Sequence, residues 1–269
     1  MDVSINGKII NSKKLYIDIN GQGLNYGYGL FETLKFVNKK IFFWNEHFER
    51  FAKGCTELNM NLIYDKHEIE EYLNKLIVLS HTYCGALKIL YVKNNSKYDL
   101  IIIVKENTYT KEMYEDGFKI CFASSRKNPD SKLTYIKSNN YLENVLEKDI
   151  ALKKNYNEAI FLNTNNYISE GSYTNIFFIK NNKLYTPDIS CGLLPGIMRE
   201  KVISLINKLS FKLEVSSFNM EALINADEVF LTNSLMEIMP VSKIESKSFD
   251  LNNNKITKLL RKEFQKLYY

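Results

Sequence analysis

The stretch "YISEGSYTNIFFIK", residues 167–180, decides how the second half of this chain is read. It runs strand, turn, strand, and "NN" then closes it onto a further strand, "KLYT", at 183–186. Glu170 stands inside this apolar stretch. A carboxylate so placed either sits exposed at the turn or is paired with a cation.

Upstream lie a strand at 158–163, a helix near 139–154 and the connector "SRKNPDSKL" (125–133), rich in turn residues. Before them comes the strand "FKICFAS" (118–124). Downstream, "GLLPGIMREKVISLINKLS" (192–210) places Pro-Gly ahead of a helix with Ile197, Val202, Leu205, Ile206 and Leu209 at helical spacing. The strand "FKLEVSS", a short helix, the strand "DEVFLTNS" and an amphipathic helix at 254–267 complete this half.

The first segment reads as an α+β unit ending near residue 112. Strands are expected near 3–10 and 30–37, with "VNKK" turning the second into a strand at Ile41–Trp44. Asn45 is the expected N-cap of a helix bearing Phe48, Phe51, Ala52, Cys55 and Leu58. A helix over 66–80 precedes a hairpin of "ALKILYV" and "YDLIIIV" around "KNNSK".

Composition narrows the function. The 269 residues are 45% hydrophobic and 25% charged, ordinary for a globular protein of one large or two smaller domains. The net charge of +5 comes from scattered lysines rather than a block, which argues against a nucleic-acid surface. The aliphatic run Leu100–Val104 is too short to span a bilayer, and "MDVSINGKII" has no signal-peptide pattern, so a cytoplasmic protein is expected. Cys55, Cys84, Cys121 and Cys191 form no Cys-x-x-Cys and read as reduced core thiols. His47, His67 and His81 lack metal-ligand spacing, so no metal is expected, and no Gly-x-Ser-x-Gly supports a serine hydrolase.

Some residues stand out. Only four arginines occur, at 50, 126, 199 and 261. Arg50 lies on an apolar helix face, and Arg199 in a first helical turn, where the macrodipole disfavours a cation unless an anion is near. The plainer reading of both is as surface charges. Gly196 and the amides of Ile197 and Met198 open a helix, a ready phosphate site, and "LTNS" (231–234) offers similar groups; a polar turn explains either. Lys137 lies between a short extended run and a helix in "LTYIKSNNYLENVLEKD" (133–149). A lysine for a Schiff base, a carboxylate for the pyridine nitrogen and a phosphate site together fit one cofactor, pyridoxal 5'-phosphate.

"IKSNNYLENVL", "YISEGSYTNIFFI", "CGLLPGIMRE", "EVFLTNSLMEIMPV" and the N-terminal "YGYGLFETLKF" resemble, in order and over nearly the whole chain, the motifs of the class IV, fold type IV pyridoxal phosphate enzymes. That family includes branched-chain aminotransferases, D-amino-acid aminotransferases and 4-amino-4-deoxychorismate lyases. The resemblance implies an α+β fold: a small N-terminal α/β sandwich domain (1–112) and a larger C-terminal cofactor-binding domain (113–269) with a barrel-like β core. The loop at about 124–133 would join them, and homodimers are implied. Lys137 would be the Schiff-base lysine and catalytic base, and Glu170 the partner of the pyridine nitrogen. Arg50, Gly196, Ile197, Met198 and Ser234 would hold the phosphate, with Tyr141 beside the ring hydroxyl. Phe31, Thr33, Leu235 and Met236 would meet the substrate, the last two through backbone amides and by narrowing the site.

The chain departs from the pattern. Tyr28 replaces the Asp of Gly-Asp-Gly, Phe31 stands where D-amino-acid aminotransferases have Tyr, and "YVKNNSK" replaces a Ser/Thr-Arg-Gly. The Pro-Arg-x-His stretch of those enzymes is missing. "FET" at 31–33 and "NSLMEIMPV" at 233–241 lie nearer the lyase pattern, so the expected activity is release of pyruvate to form 4-aminobenzoate, a step of folate biosynthesis. The alternative is an aminotransferase for L-branched-chain or related amino acids.

Overall fold

A computed structural model describes residues 2–14 and 18–269, with only the backbone of Lys14. The chain forms two compact units: residues 1–108 with 136–141, and residues 109–135 with 142–269.

The first unit runs β1 (Asp2–Ile5), β2 (Lys8–Asn11), α1 (Gln22–Tyr26), β3 (Gly29–Val37), β4 (Lys40–Ile41), α2 (Trp44–Glu57), α3 (Lys66–Ser80), β5 (Cys84–Asn94) and β6 (Lys97–Glu106). Its strands form an antiparallel sheet in the order β2-β1-β6-β5-β3-β4. The strand expected near 3–10 is two strands. Asn6 and Gly7 take positive φ of 50° and 80°, the hairpin turn an Asn-Gly pair favours. The strand expected at 41–44 stops at Ile41. Phe43 adopts φ 57° and caps α2, so Trp44 opens the helix and Asn45 is not its cap. On β3, Leu30, Glu32, Leu34 and Phe36 are buried, and Phe31 and Thr33 alternate onto the other face. The buried face packs on Phe51 and Cys55 of α2 and Leu73 and Leu76 of α3 in one apolar core.

The second unit runs α4 (Lys111–Asp116), β7 (Phe118–Lys127), α5 (Leu142–Lys153), β8 (Glu158–Asn163), β9 (Ile168–Gly171), β10 (Asn175–Lys180), β11 (Lys183–Pro187), α6 (Ile197–Lys208), β12 (Leu213–Ser216), α7 (Met220–Ile224), β13 (Glu228–Asn233), β14 (Glu237–Ile244), β15 (Lys247–Ser248) and α8 (Lys255–Tyr268). Its mixed sheet follows the order β12-β11-β10-β13-β14-β7-β8-β9, with β15 beside β14. β9 packs back against β10, which curls the sheet into a half-barrel around Ile160, Ile176, Val229, Met239 and Val241. β14 is missing from the sequence reading because Pro240 sits within it, opposite Phe230. β7 runs on to Lys127, so the expected loop at 124–133 begins as strand. No helix among the described residues is long and apolar enough to cross a membrane.

The helix expected at 139–154 starts only at Leu142. Residues 136–141 instead line up along the start of β3. Phe31 N donates to Lys137 O at 2.9 Å, Asn139 N donates to Gly29 O at 2.9 Å, and Leu30 bridges Ser138. Glycine at 29 permits this approach, because a Cβ there would lie 2.6 Å from both Asn139 Nδ2 and Tyr91 O.

Candidate active site

In the first unit, Lys137 Nζ lies 4.2 Å from the centre of the Phe31 ring and 5.5 Å from that of Tyr141. The two rings meet edge to face at 5.1 Å. The structure therefore gathers three predicted site residues, and the backbone pairing of Lys137 to β3 is the cause. Thr33 lies two residues on from Phe31 along the same face, opposite Lys88 of β5. Lys88 Nζ also approaches the Phe31 ring, at 5.1 Å. Burial, with the charge of Lys105, makes the Lys88 ammonium easier to deprotonate.

Arg50 is not a surface charge. Its Nε and Nη2 each donate at 2.7 Å to the two oxygens of Glu32, a bidentate fork. His47 Nδ1 meets Glu32 Oε2 at 2.7 Å. Glu32 and His47 are fully buried. Burial alone would raise the Glu32 carboxyl; the charge of Arg50 and the hydrogen bonds from Arg50 and His47 outweigh it and hold it below the usual carboxylate range. Burial lowers His47, and the cations Arg50 and Lys137 add to that against the pull of Glu32. We assign His47 as a neutral Nδ1–H donor, since Arg50 already balances the carboxylate. The trio fixes the direction of the Arg50 fork. Tyr28 has a structural use, its hydroxyl donating to Leu58 O at 2.6 Å at the end of α2.

In the second unit, Glu170 is buried on β9. Its Oε2 accepts from Leu194 N at 2.9 Å, and Lys127 Nζ lies 3.8 Å from Oε1. Asn175 Nδ2 donates to Leu194 O, so β9 and β10 hold both sides of the 193–196 loop. That loop delivers Gly196 as the N-cap of α6, and no side chain caps this helix. A Cβ on Gly196 would come 1.8 Å from Asn175 Oδ1, so only glycine fits. The first-turn amides of Ile197 and Met198 thus open a helix that no side chain caps, the arrangement in which a helix N-terminus can take an anion. Arg199 is buried and takes Glu200 and the Pro187 carbonyl as partners, so the anion expected beside it is supplied by the chain.

The turn after β13 differs from expectation. Asn233 Oδ1 accepts from the amides of both Leu235 (3.0 Å) and Met236 (2.9 Å), which occupies the donors expected for a substrate. The Met236 side chain is fully buried in the core, so only Leu235 is left to narrow a site. Ser234 is half-buried in the same turn.

A lysine amine against aromatic faces, a fixed guanidinium, an uncapped helix N-terminus and a buried carboxylate are parts that suit pyridoxal phosphate. Glu32, His47, Lys88 and Lys127 are the residues the sequence reading missed. Glu32 lies in the quoted "FET", and a buried parity position on β3 was the signal that could have found it.

Comparison with known proteins agrees. The aminodeoxychorismate lyase of Bacillus subtilis is 26% identical over 98% of this chain and 94% of its own length. The D-alanine aminotransferase of Staphylococcus epidermidis is 29% identical, covering 98% and 96%. A probable branched-chain-amino-acid aminotransferase of Aquifex aeolicus is 32% identical, covering 98% and 89%. The crystal structure of the Escherichia coli branched-chain amino acid aminotransferase shares the fold, with a TM-score of 0.93 and 24% identity over 99% and 94% of the two chains. The family model of amino-transferase class IV matches residues 29–244. The chain therefore belongs to the class IV aminotransferase family and is a pyridoxal phosphate-dependent enzyme.

Proposed function

We propose that this enzyme is a 4-amino-4-deoxychorismate lyase, releasing pyruvate and forming 4-aminobenzoate for folate biosynthesis in the cytoplasm. The observation that carries this reading is the face around Phe31, where the Lys88 ammonium approaches the same ring as the Lys137 amine and Thr33 lies alongside. Aminodeoxychorismate brings one amine and two carboxylates to such a face. L-Leucine brings one carboxylate and an apolar branch that gains nothing from a half-buried ammonium.

Bound pyridoxal phosphate supplies the electron sink for a carbanion beside the substrate nitrogen. Lys137 Nζ takes the proton from the substrate carbon that bears nitrogen, a step worth about 10²–10⁴-fold. The Phe31 and Tyr141 rings orient that amine and keep water from it, and Tyr141 stands by the cofactor's ring hydroxyl. Glu170 holds a negative charge for the pyridine nitrogen. Arg50, aimed by Glu32, the amides of Ile197 and Met198 beside Gly196, and Ser234 hold the phosphate. Lys88 takes a substrate carboxylate.

An aminotransferase is the second reading. The burial of Met236 favours it, because that side chain does not close the site to a second substrate. The test runs two assays, aminodeoxychorismate alone and L-leucine with 2-oxoglutarate. Elimination returns the cofactor unchanged, so many turnovers without an acceptor are expected in the first. Many turnovers in the second alone would overturn the lyase reading.

The proposal includes a homodimer. Leu142, Leu146 and Ile150 form an exposed apolar stripe at i, i+4, i+8 on α5, suited to burial against a second copy. Light scattering is expected to show a dimer for the wild type and a monomer for Leu146→Glu. A wild-type monomer at assay concentration would contradict it.

A further inference from the structure

We infer that Lys127 is a positioning residue whose ammonium keeps Glu170 ionised and aimed; the inference rests on the reading of Glu170 as the carboxylate for the pyridine nitrogen. Lys127 is the last residue of β7 and is only 8% exposed. Its Nζ donates to Asn144 Oδ1 at 2.8 Å and lies 3.8 Å from Glu170 Oε1, 3.8 Å from Glu143 Oε2 and 4.5 Å from the centre of the Phe161 ring. Asn144 is itself fixed, because its Nδ2 donates to Ser172 O at 2.8 Å. Its oxygen must then face the lysine.

The backbone is built to deliver this amine. β7 slips register against β8 between Phe122 and Arg126. Glu147 of α5 pins the slip, accepting from the amides and hydroxyls of both Ser124 and Ser125. Thr164 N then donates to Lys127 O at 3.0 Å. A lysine in mid-sheet could not reach β9 and α5 at once without so definite a strand end.

Charge assigns the partner. A buried ammonium needs a counter-charge, and two carboxylates lie equally near. The Glu143 side chain is 50% exposed and water solvates it; that of Glu170 is 8% exposed. Glu170 is thus the carboxylate whose ionised form depends on Lys127. Among the other charges on the packed elements, Glu158 takes Ser172 and Lys148, Glu147 takes the serines, Arg126 donates to Ala123 O and Arg199 takes Glu200.

The experiment titrates full-length apoprotein with pyridoxal phosphate by fluorescence across pH, with thermal unfolding to verify that each variant folds. Wild-type affinity is expected to fall on the acid side as Glu170, the Lys137 amine and the cofactor phosphate take up protons. Glu170→Gln should shift that acid limb, because the contribution of Glu170 is lost. Lys127→Met should move it up by at least about one pH unit, and Lys127→Gln reads the same shift where the methionine variant folds poorly. Lys127→Arg, which keeps a cation, should restore the wild-type limb. A purely structural role for Lys127 would lower the melting temperature and leave the limb in place, which overturns the inference alone. A limb that stays where it is in Glu170→Gln overturns the reading of Glu170 itself.

Discussion

Two lysines, one in each unit, differ in what surrounds the amine. Lys137 rests on the faces of Phe31 and Tyr141, contacts that are favourable but weakly directional. Lys127 is tied to Asn144 and lies among carboxylates. Aromatic faces constrain the direction of an amine only weakly, whereas a carboxylate and a fixed amide oxygen hold it in place. On the proposed reading the same residue type serves covalent chemistry in one unit and static electrostatics in the other. The buried glutamates differ in parallel. Glu32 is held by an arginine fork and a histidine, while Glu170 accepts from the Leu194 backbone amide at 2.9 Å and has a cation at 3.8 Å.

The largest expected effect falls on Lys137. Lys137→Ala should fold, lose the yellow colour of the bound cofactor and lose about 10⁴-fold in turnover, the upper end for a positioned base. Full colour with near-normal turnover would erase the contrast with Lys127.

A smaller effect is expected at Glu32, and on stability rather than colour. Glu32→Gln breaks a buried pair, at a cost of about 2–3 kcal/mol because Arg50 still reaches water. Its pH dependence has a definite sign. The folded-state value of Glu32 lies below that of the unfolded chain, so its stabilisation is present above about pH 4.3 and is lost as pH falls below that. His47 is also lowered, so the unfolded chain binds its proton first and stability falls below about pH 6.5. Melting temperature should therefore decline in two acid steps, and Glu32→Gln should remove the lower one. An unchanged lower step would show that the trio is not where the acid sensitivity lies.

The extent of sequence legibility follows the range of the interactions. Local periodicity set α3 at 66–80 and the β5–β6 hairpin as the structure has them. The start of α5 was misread because residues 136–141 take their hydrogen bonds from β3, about a hundred residues earlier. Ordered motifs singled out Lys137, Glu170 and Gly196, whose roles belong to the proposed function. Lys127 carried no local signal; its role depends on a strand slip pinned by a helix and on a carboxylate 43 positions on. Met236 shows the converse, a bulky residue beside a predicted site whose side chain the fold turns into the core.

The most direct test is chemical. Reducing the holoenzyme with borohydride fixes pyridoxal phosphate to the lysine that carries it, and peptide mass spectrometry then locates the label. The account predicts the label on Lys137, within the peptide that contains Ile136 and Ser138. A label on Lys127 or Lys88 would contradict it.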